Sequence, residues 1–196
     1  MRFEKGHKES TRRRIIEVAS KRFRRDGIAA SGVAGIMTES GLTNGAFYPH
    51  FDSKETLVKE ALSSALNDQH AALTNEVTGP SSIEDAIRRY LNKSHLLGCD
   101  EGCPSAALLP EIGRQSESTK KMYEKACRSY IEGLAMLLPE PESAKSRWQA
   151  ETIFALMVGT IQIARAVSDP QLAEEILENG VQAALKLSRS PSGSST

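Results

Sequence analysis

Apolar residues return every three or four positions along most of this chain, the period of an α-helix with one buried face. Ile15, Ile16, Ala19 and Phe23 form the first such stripe. It predicts a helix capped at Ser10 or Thr11 and stopped at Asp26-Gly27, where glycine supplies a left-handed residue. Ser31 stands where a cap would open a short second helix that turns Val33, Ile36 and Met37 inward. Ser40-Gly41-Leu42 makes a tight turn, and a third helix starts near Thr43, burying Phe47 and Phe51 against the first. Two residues oppose this reading. Gly35 inside the second helix costs about 1 kcal/mol relative to alanine, and Pro49 shortens the third by removing an amide.

Farther along, Leu57, Val58, Ala61, Leu62, Ala65, Leu66 and Leu73 predict a long helix that opens at Ser53-Lys54-Glu55 and ends before Thr78-Gly79-Pro80. Another is expected from Ser81-Ser82 through Ile87, Tyr90, Leu91 and Leu97, broken by the run from Gly98 to Pro104. Helices over Ala106 to Gly113 and from Ser118 to Leu138 follow, the second stopped by Pro139. The last pair runs from Glu142 to Val167 and from Pro170 to Leu187. Strand signals are almost absent. The fold class is therefore all-α with about nine helices: a three-helix helix-turn-helix domain over residues 1–52 and a second helical domain over residues 53–188. Residues 189–196, rich in Ser, Gly and Pro, are expected to form a disordered tail.

The first three helices carry the most specific chemistry. Arg12, Arg13, Arg14, Lys21, Arg22, Arg24 and Arg25 make the polar face of the first helix strongly positive, suited to phosphates. The carboxamide of Asn44 matches an adenine edge, and Gly45 and Ala46 are small enough to let a backbone approach bases in a groove about 12 Å wide. Whole-chain composition hides this, because 25 basic and 25 acidic residues cancel. Residues 1–60 hold 12 Lys/Arg against 8 Asp/Glu, leaving 13 against 17 in the remainder, so a positive head precedes an acidic body and one end faces nucleic acid.

The segment from Thr11 to about Leu62 resembles the DNA-binding domain of the TetR family of bacterial transcriptional regulators. The likeness lies in the Ile15/Ile16, Ala19, Phe23, Gly27 spacing, in Ser31, Val33 and Ile36, and in Gly41-Leu42-Thr43-Asn44-Gly45-Ala46-Phe47-Tyr48 with His50-Phe51 and Ser53-Lys54-Glu55. By that resemblance Ser31, Gly32 and Val33 meet phosphate at the start of the second helix. Thr43, Asn44, Gly45 and Ala46 approach base edges, while Tyr48, His50 and Lys54, with Pro49 between them, hold the DNA backbone. The resemblance implies a repressor that binds a palindromic operator in duplex DNA as a homodimer and leaves it when a small-molecule effector binds, and it makes the helical domain over residues 53–188 the ligand-binding and dimerisation domain.

The final helix pair points to the same assembly. Trp148, Ile153, Leu156, Gly159 and Ile163, with Leu172, Ile176 and Val181, are more apolar than one body surface requires, and two such pairs can bury each other about a twofold axis. His95, Cys103, Met122, Tyr123, Tyr130, Met157 and Gln162 are candidate effector contacts, with core packing as the competing reading. Cys103 at a helix start offers a second possibility, a thiol that senses oxidants or electrophiles. His95, Cys99 and Cys103 are too few, and too interrupted by Gly98 and Pro104, for a metal centre. No cofactor is expected, and the dispersed histidines and missing catalytic motifs argue against an enzyme. An architectural DNA binder without effector control is the reading from another class, though the acidic body serves no purpose in it. Three cysteines, no signal-peptide pattern and no membrane-length apolar run, Gly159, Gln162 and Arg165 interrupting the longest, give a cytoplasmic expectation.

Overall fold

The computed structural model describes residues 2–189, and among them the apolar stripes fold as nine α-helices and one 3-10 turn with no strand. The chain is all-α, as its periodicity requires. Helix α1 (Arg2–Asp26) begins well before the expected cap at Ser10 or Thr11. Thr11 is buried on the inner face instead of capping. The helix stops as expected: Gly27 takes φ +88° and returns its N–H to the Phe23 carbonyl at 2.8 Å, a left-handed cap that a Cβ would strain.

Helix α2 (Val33–Glu39) starts from Gly32 without a side-chain cap. Ser31 does not cap it; its fully buried hydroxyl donates to the Gly27 carbonyl at 2.7 Å and braces the preceding turn. At the other end Gly41 (φ +69°) and Leu42 donate to Thr38 and Met37, each at 2.9 Å, the paired bonds that close a helix and swing the chain away. Gly35 has a packing reason. A Cβ there would sit 2.7 Å from the Arg22 guanidinium, which crosses this face to reach Glu39 at 3.1 Å.

The expected third helix contracts to a single 3-10 turn, η1 (Asn44–Ala46). Ala46 and Phe47 donate to Thr43 and Asn44 in the three-residue pattern, and the N–H groups of His50 and Phe51 converge on the Phe47 carbonyl at 2.9 and 3.0 Å. Pro49 has no amide, so an α-type ladder cannot run through it. Helix α3 (Lys54–Thr74) then opens under a cap at Ser53, whose hydroxyl accepts the Thr56 N–H at 3.1 Å.

Two compact units divide the chain, one comprising residues up to Asn67 with Cys99–Glu124, the other Asp68–Gly98 with the residues from Lys125 onward. Helices α1 and α2 and the η1 turn bury too little by themselves. In the first unit, Leu57, Val58, Ala61 and Leu62 of α3 and Leu108 and Ile112 of α6 (Pro104–Ile112) join Ile15, Phe23, Ile36, Met37, Phe47 and Phe51 in one core.

In the second unit, the helix expected from Ser81 to Leu97 is broken into α4 (Ile83–Tyr90) and α5 (Lys93–Leu97). Asn92 causes the break: its side chain accepts the His95 N–H at 2.8 Å and donates to the Arg89 carbonyl at 2.6 Å, capping one helix and ending the other. Helix α7 (Glu117–Ala135) starts in the first unit and ends in the second. Helices α8 (Ala144–Ala166) and α9 (Pro170–Arg189) pack along each other, closely enough that a Cβ at Gly180 would meet the Thr160 side chain at 2.5 Å. Ile153 and Val181, expected at a dimer face, are buried in this unit's own core. Apolar spacing alone does not tell the inner side of α8 from the outer one. Arg189 closes α9, and residues 190–196 of the expected tail lie outside the described residues.

Candidate nucleic-acid interface

Thr43, Asn44, Gly45, Tyr48 and Pro49 are all exposed, and Ala46 and His50 are half-buried. What holds this segment in place lies directly beneath it. Phe47 stacks on Phe51 with ring centroids 5.6 Å apart, and the largely exposed Tyr48 (73%) meets the Phe47 ring edge-on at 5.4 Å. The Arg12 guanidinium lies 4.7 Å from the Phe51 ring centroid, pairs with Glu60 of α3 and donates to the His50 carbonyl at 3.4 Å. One side chain of α1 thereby pins the recognition segment and the next helix at once.

The His50 imidazole is held below the usual histidine range, chiefly by burial and then by the positive charges of Lys8 and Arg12. A phosphate brought alongside would oppose those charges and favour the imidazolium. Its Nδ1 is buried without a hydrogen-bond partner.

Other expected contacts are placed differently. Gly32 is exposed, Val33 packs partly on the core, and Ser31 points its hydroxyl inward, leaving only backbone at that position to meet a phosphate. The half-buried Lys54 donates to the Ile28 carbonyl at 2.7 Å, bracing the turn between α1 and α2. The basic face of α1 divides in two. Lys21 pairs with Glu101, Arg22 with Glu39 and Asp26, Arg25 with Asp26 and Glu39, and Arg24 donates to the Gly102 carbonyl, so the carboxy-terminal half spends its charge within the unit. Arg13 and Arg14 remain exposed and make no ion pair among the described residues. Sequence spacing missed the organising roles of Arg12 and Glu60, because each acts on residues distant in the chain.

The candidate effector contacts divide between the two units. Cys103, Met122 and Tyr123 belong to the first unit, where Cys103 is buried ahead of α6, Met122 and Tyr123 pack on the core, and the Tyr123 hydroxyl lies 3.0 Å from that of Ser105. His95, Tyr130, Met157 and Gln162 belong to the second. There His95 meets Tyr90 edge-on at 4.6 Å, Tyr130 lies 5.0 Å from the Phe154 ring, Met157 is fully buried and Gln162 is half-buried. Burial holds the His95 pKa low, although its Nδ1 sits 2.7 Å from the Tyr90 carbonyl. A separate groove of about 630 Å³ in this unit is lined by Ser82, Glu84, Leu138, Gln149 and Arg189 among others, and by none of the candidates. No cluster of three or more metal-ligating side chains occurs among the described residues, nor any helix long and apolar enough to cross a membrane.

Residues 15–61 match the family model described as bacterial regulatory proteins, tetR family. The HTH-type transcriptional regulator TtgR of Pseudomonas putida is 39% identical over 83 residues, 42% of this chain but only 37% of TtgR's own length. An uncharacterised HTH-type transcriptional regulator of Mycobacterium tuberculosis is 27% identical over 177 residues, 88% of this chain and 83% of that protein. Among solved structures, the reduced form of E. coli NemR shares the fold with a TM-score of 0.74 at 21% identity, over 93% of this chain and 99% of that one. The amino-terminal segment thus matches the TetR family of bacterial regulatory proteins, and the whole chain has the fold of solved TetR-family transcriptional regulators.

Proposed function

We propose that this protein is a dimeric, sequence-specific regulator, a repressor that grips a palindromic operator and releases it when a small-molecule effector binds. One observation carries the DNA half of this reading: the segment from Thr43 to Pro49 offers its polar edge outward while Phe47 and Phe51 lock it to the core from below. A short, rigid, exposed element with small residues at Gly45 and Ala46 suits entry into the major groove. Asn44 reads an adenine edge, and Tyr48, His50, Arg13, Arg14 and the backbone at Gly32 hold phosphates on either side.

The twofold half rests on the outer face of the α8–α9 pair. Trp148 and Ile163 are 55% and 58% exposed, Leu172 is exposed, and a Cβ at Gly159 would meet nothing within 4 Å. Large apolar side chains left exposed favour burial against a second copy. Two copies present two recognition segments, as a palindrome with half-sites about 34 Å apart demands. Release follows when an effector changes the separation of those segments, and regulation of this kind belongs in the cytoplasm.

Selection of bound duplexes from a random-sequence pool, followed by footprinting, tests the reading. A short inverted repeat protected at a stoichiometry of two chains is the expected result. Broad coating of every duplex would replace it with an architectural role, and failure to bind any duplex at low salt would remove it.

A further inference from the structure

The turn between α1 and α2 is held from several sides at once. Gly27 returns its amide to Phe23, and the Ser31 hydroxyl takes the Gly27 carbonyl at 2.7 Å. Lys54, at the start of α3, donates to the Ile28 carbonyl at 2.7 Å. The remaining tie comes from α6: Glu111 Oε2 accepts the Ala29 N–H at 2.9 Å, a contact spanning 82 residues of sequence. Its other oxygen, Oε1, lies 2.9 Å from where a Cβ on Gly27 would stand, so the carboxylate occupies the space that glycine leaves. Ile28 is buried in the core, whereas Ala29 and Ala30 are exposed and border an open hollow of about 390 Å³, so the Ala29 end of the turn depends on the Glu111 bond.

We infer that Glu111 is a positioning residue for DNA recognition, its carboxylate fixing the Gly27–Ala29 turn and, through that turn, the orientation of α2 and η1. The chain of contact is short. The turn leads within four residues to α2, which packs against η1 and the base-reading edge at Asn44. An ionised acceptor on a backbone amide makes a stronger tie than a neutral one and fixes direction as well as distance. Leu108 and Ile112, on either side of Glu111 in α6, sit in the core beneath the same helices, so a shift of α6 moves the clamp with it. Glu111 touches no nucleic acid in this arrangement; it makes recognition sensitive to the placement of α6. The inference rests on the DNA-binding reading above.

The test compares wild type, Glu111→Ala and Glu111→Gln on two duplexes, one selected by the wild-type protein from a random pool and one of random sequence, with urea unfolding alongside. Glutamine keeps an acceptor oxygen for the Ala29 amide; alanine keeps none. Glu111→Ala is expected to bind the selected duplex about tenfold more weakly while its affinity for random DNA changes less than about twofold, and Glu111→Gln, a neutral acceptor, to recover part of the loss. An alanine variant that selects as well as wild type would overturn the inference. So would equal losses on both duplexes that track a lowered urea midpoint, since scaffold damage alone does that, or a glutamine variant as poor as alanine. A wild-type protein that selects no duplex would instead bring down the DNA-binding reading beneath it.

Discussion

Asn44 opens η1 with its side chain exposed, and the Phe47 N–H is bonded to its backbone carbonyl, so the carboxamide is left for an outside partner. Replacing it with alanine removes the carboxamide proposed to read a base without disturbing the Phe47–Phe51 anchor. Asn44→Ala is expected to lose about 1–3 kcal/mol on the selected duplex and almost nothing on random DNA, measured by fluorescence anisotropy at fixed salt. His95 carries a different prediction. Its folded-state pKa lies below 6.5, chiefly through burial, so the folded chain holds fewer protons than the unfolded one on acidification. That contribution is intact above the unfolded value and is lost as pH falls through 6.5 toward the folded pKa. His95→Gln, which keeps a donor for the Tyr90 carbonyl, should flatten the decline in urea midpoint between about pH 7 and pH 5. Residues acting through local chemistry were legible in the sequence: the stop at Gly27, the turn at Gly41 and the inward Phe47 and Phe51. The bonds of Ser31 to Gly27 and of Lys54 to Ile28 were not, because a hydroxyl or ammonium that can face a phosphate can as readily face a backbone carbonyl.

Among the elements, α7, α8 and α9 followed the periodicity closely, α1 began earlier than its expected cap, and two further departures came where a residue interrupts the backbone ladder. Asn92 splits α4 from α5, and Pro49 reduces the third helix to η1. That short element needs outside support, and Arg12 supplies it by joining α1 to the η1 turn at His50 and to α3 at Glu60. Its side chain is 36% exposed and that of Glu60 29%, so water screens the ion pair, and the contact with Phe51 shares the load. Arg12→Ala is expected to lower stability by about 1–2 kcal/mol in urea titration, with a loss of DNA affinity larger than on replacing an exposed arginine such as Arg14. Similar affinities for the two variants would show that η1 keeps its position without this support.

For the whole molecule, the charge split between a positive head and an acidic body was plain in the sequence, but the use of those charges was not, since Arg12, Lys21, Arg22 and Arg25 of α1 pair with carboxylates that include Glu39, Glu60 and Glu101 from elsewhere in the chain. The apolar excess of the last two helices divides in the same way. Ile153 and Val181 serve the core of the second unit, whereas Trp148, Ile163 and Leu172 lie outside it. The two sets make opposite predictions. Ile153→Ala opens a cavity and should cost about 2–4 kcal/mol in unfolding free energy while leaving the association state of the folded protein unchanged. Ile163→Glu places a charge on an already solvated position, so the monomer has little reason to unfold, yet a twofold interface would have to bury that carboxylate twice. Sedimentation of Ile163→Glu should show a folded monomer at concentrations where wild type is a dimer, with weakened binding to an inverted repeat and unchanged binding to a single half-site. A variant that still sediments as a dimer would move the interface off this face, and the claim that two recognition segments act together would then need a different surface to join them.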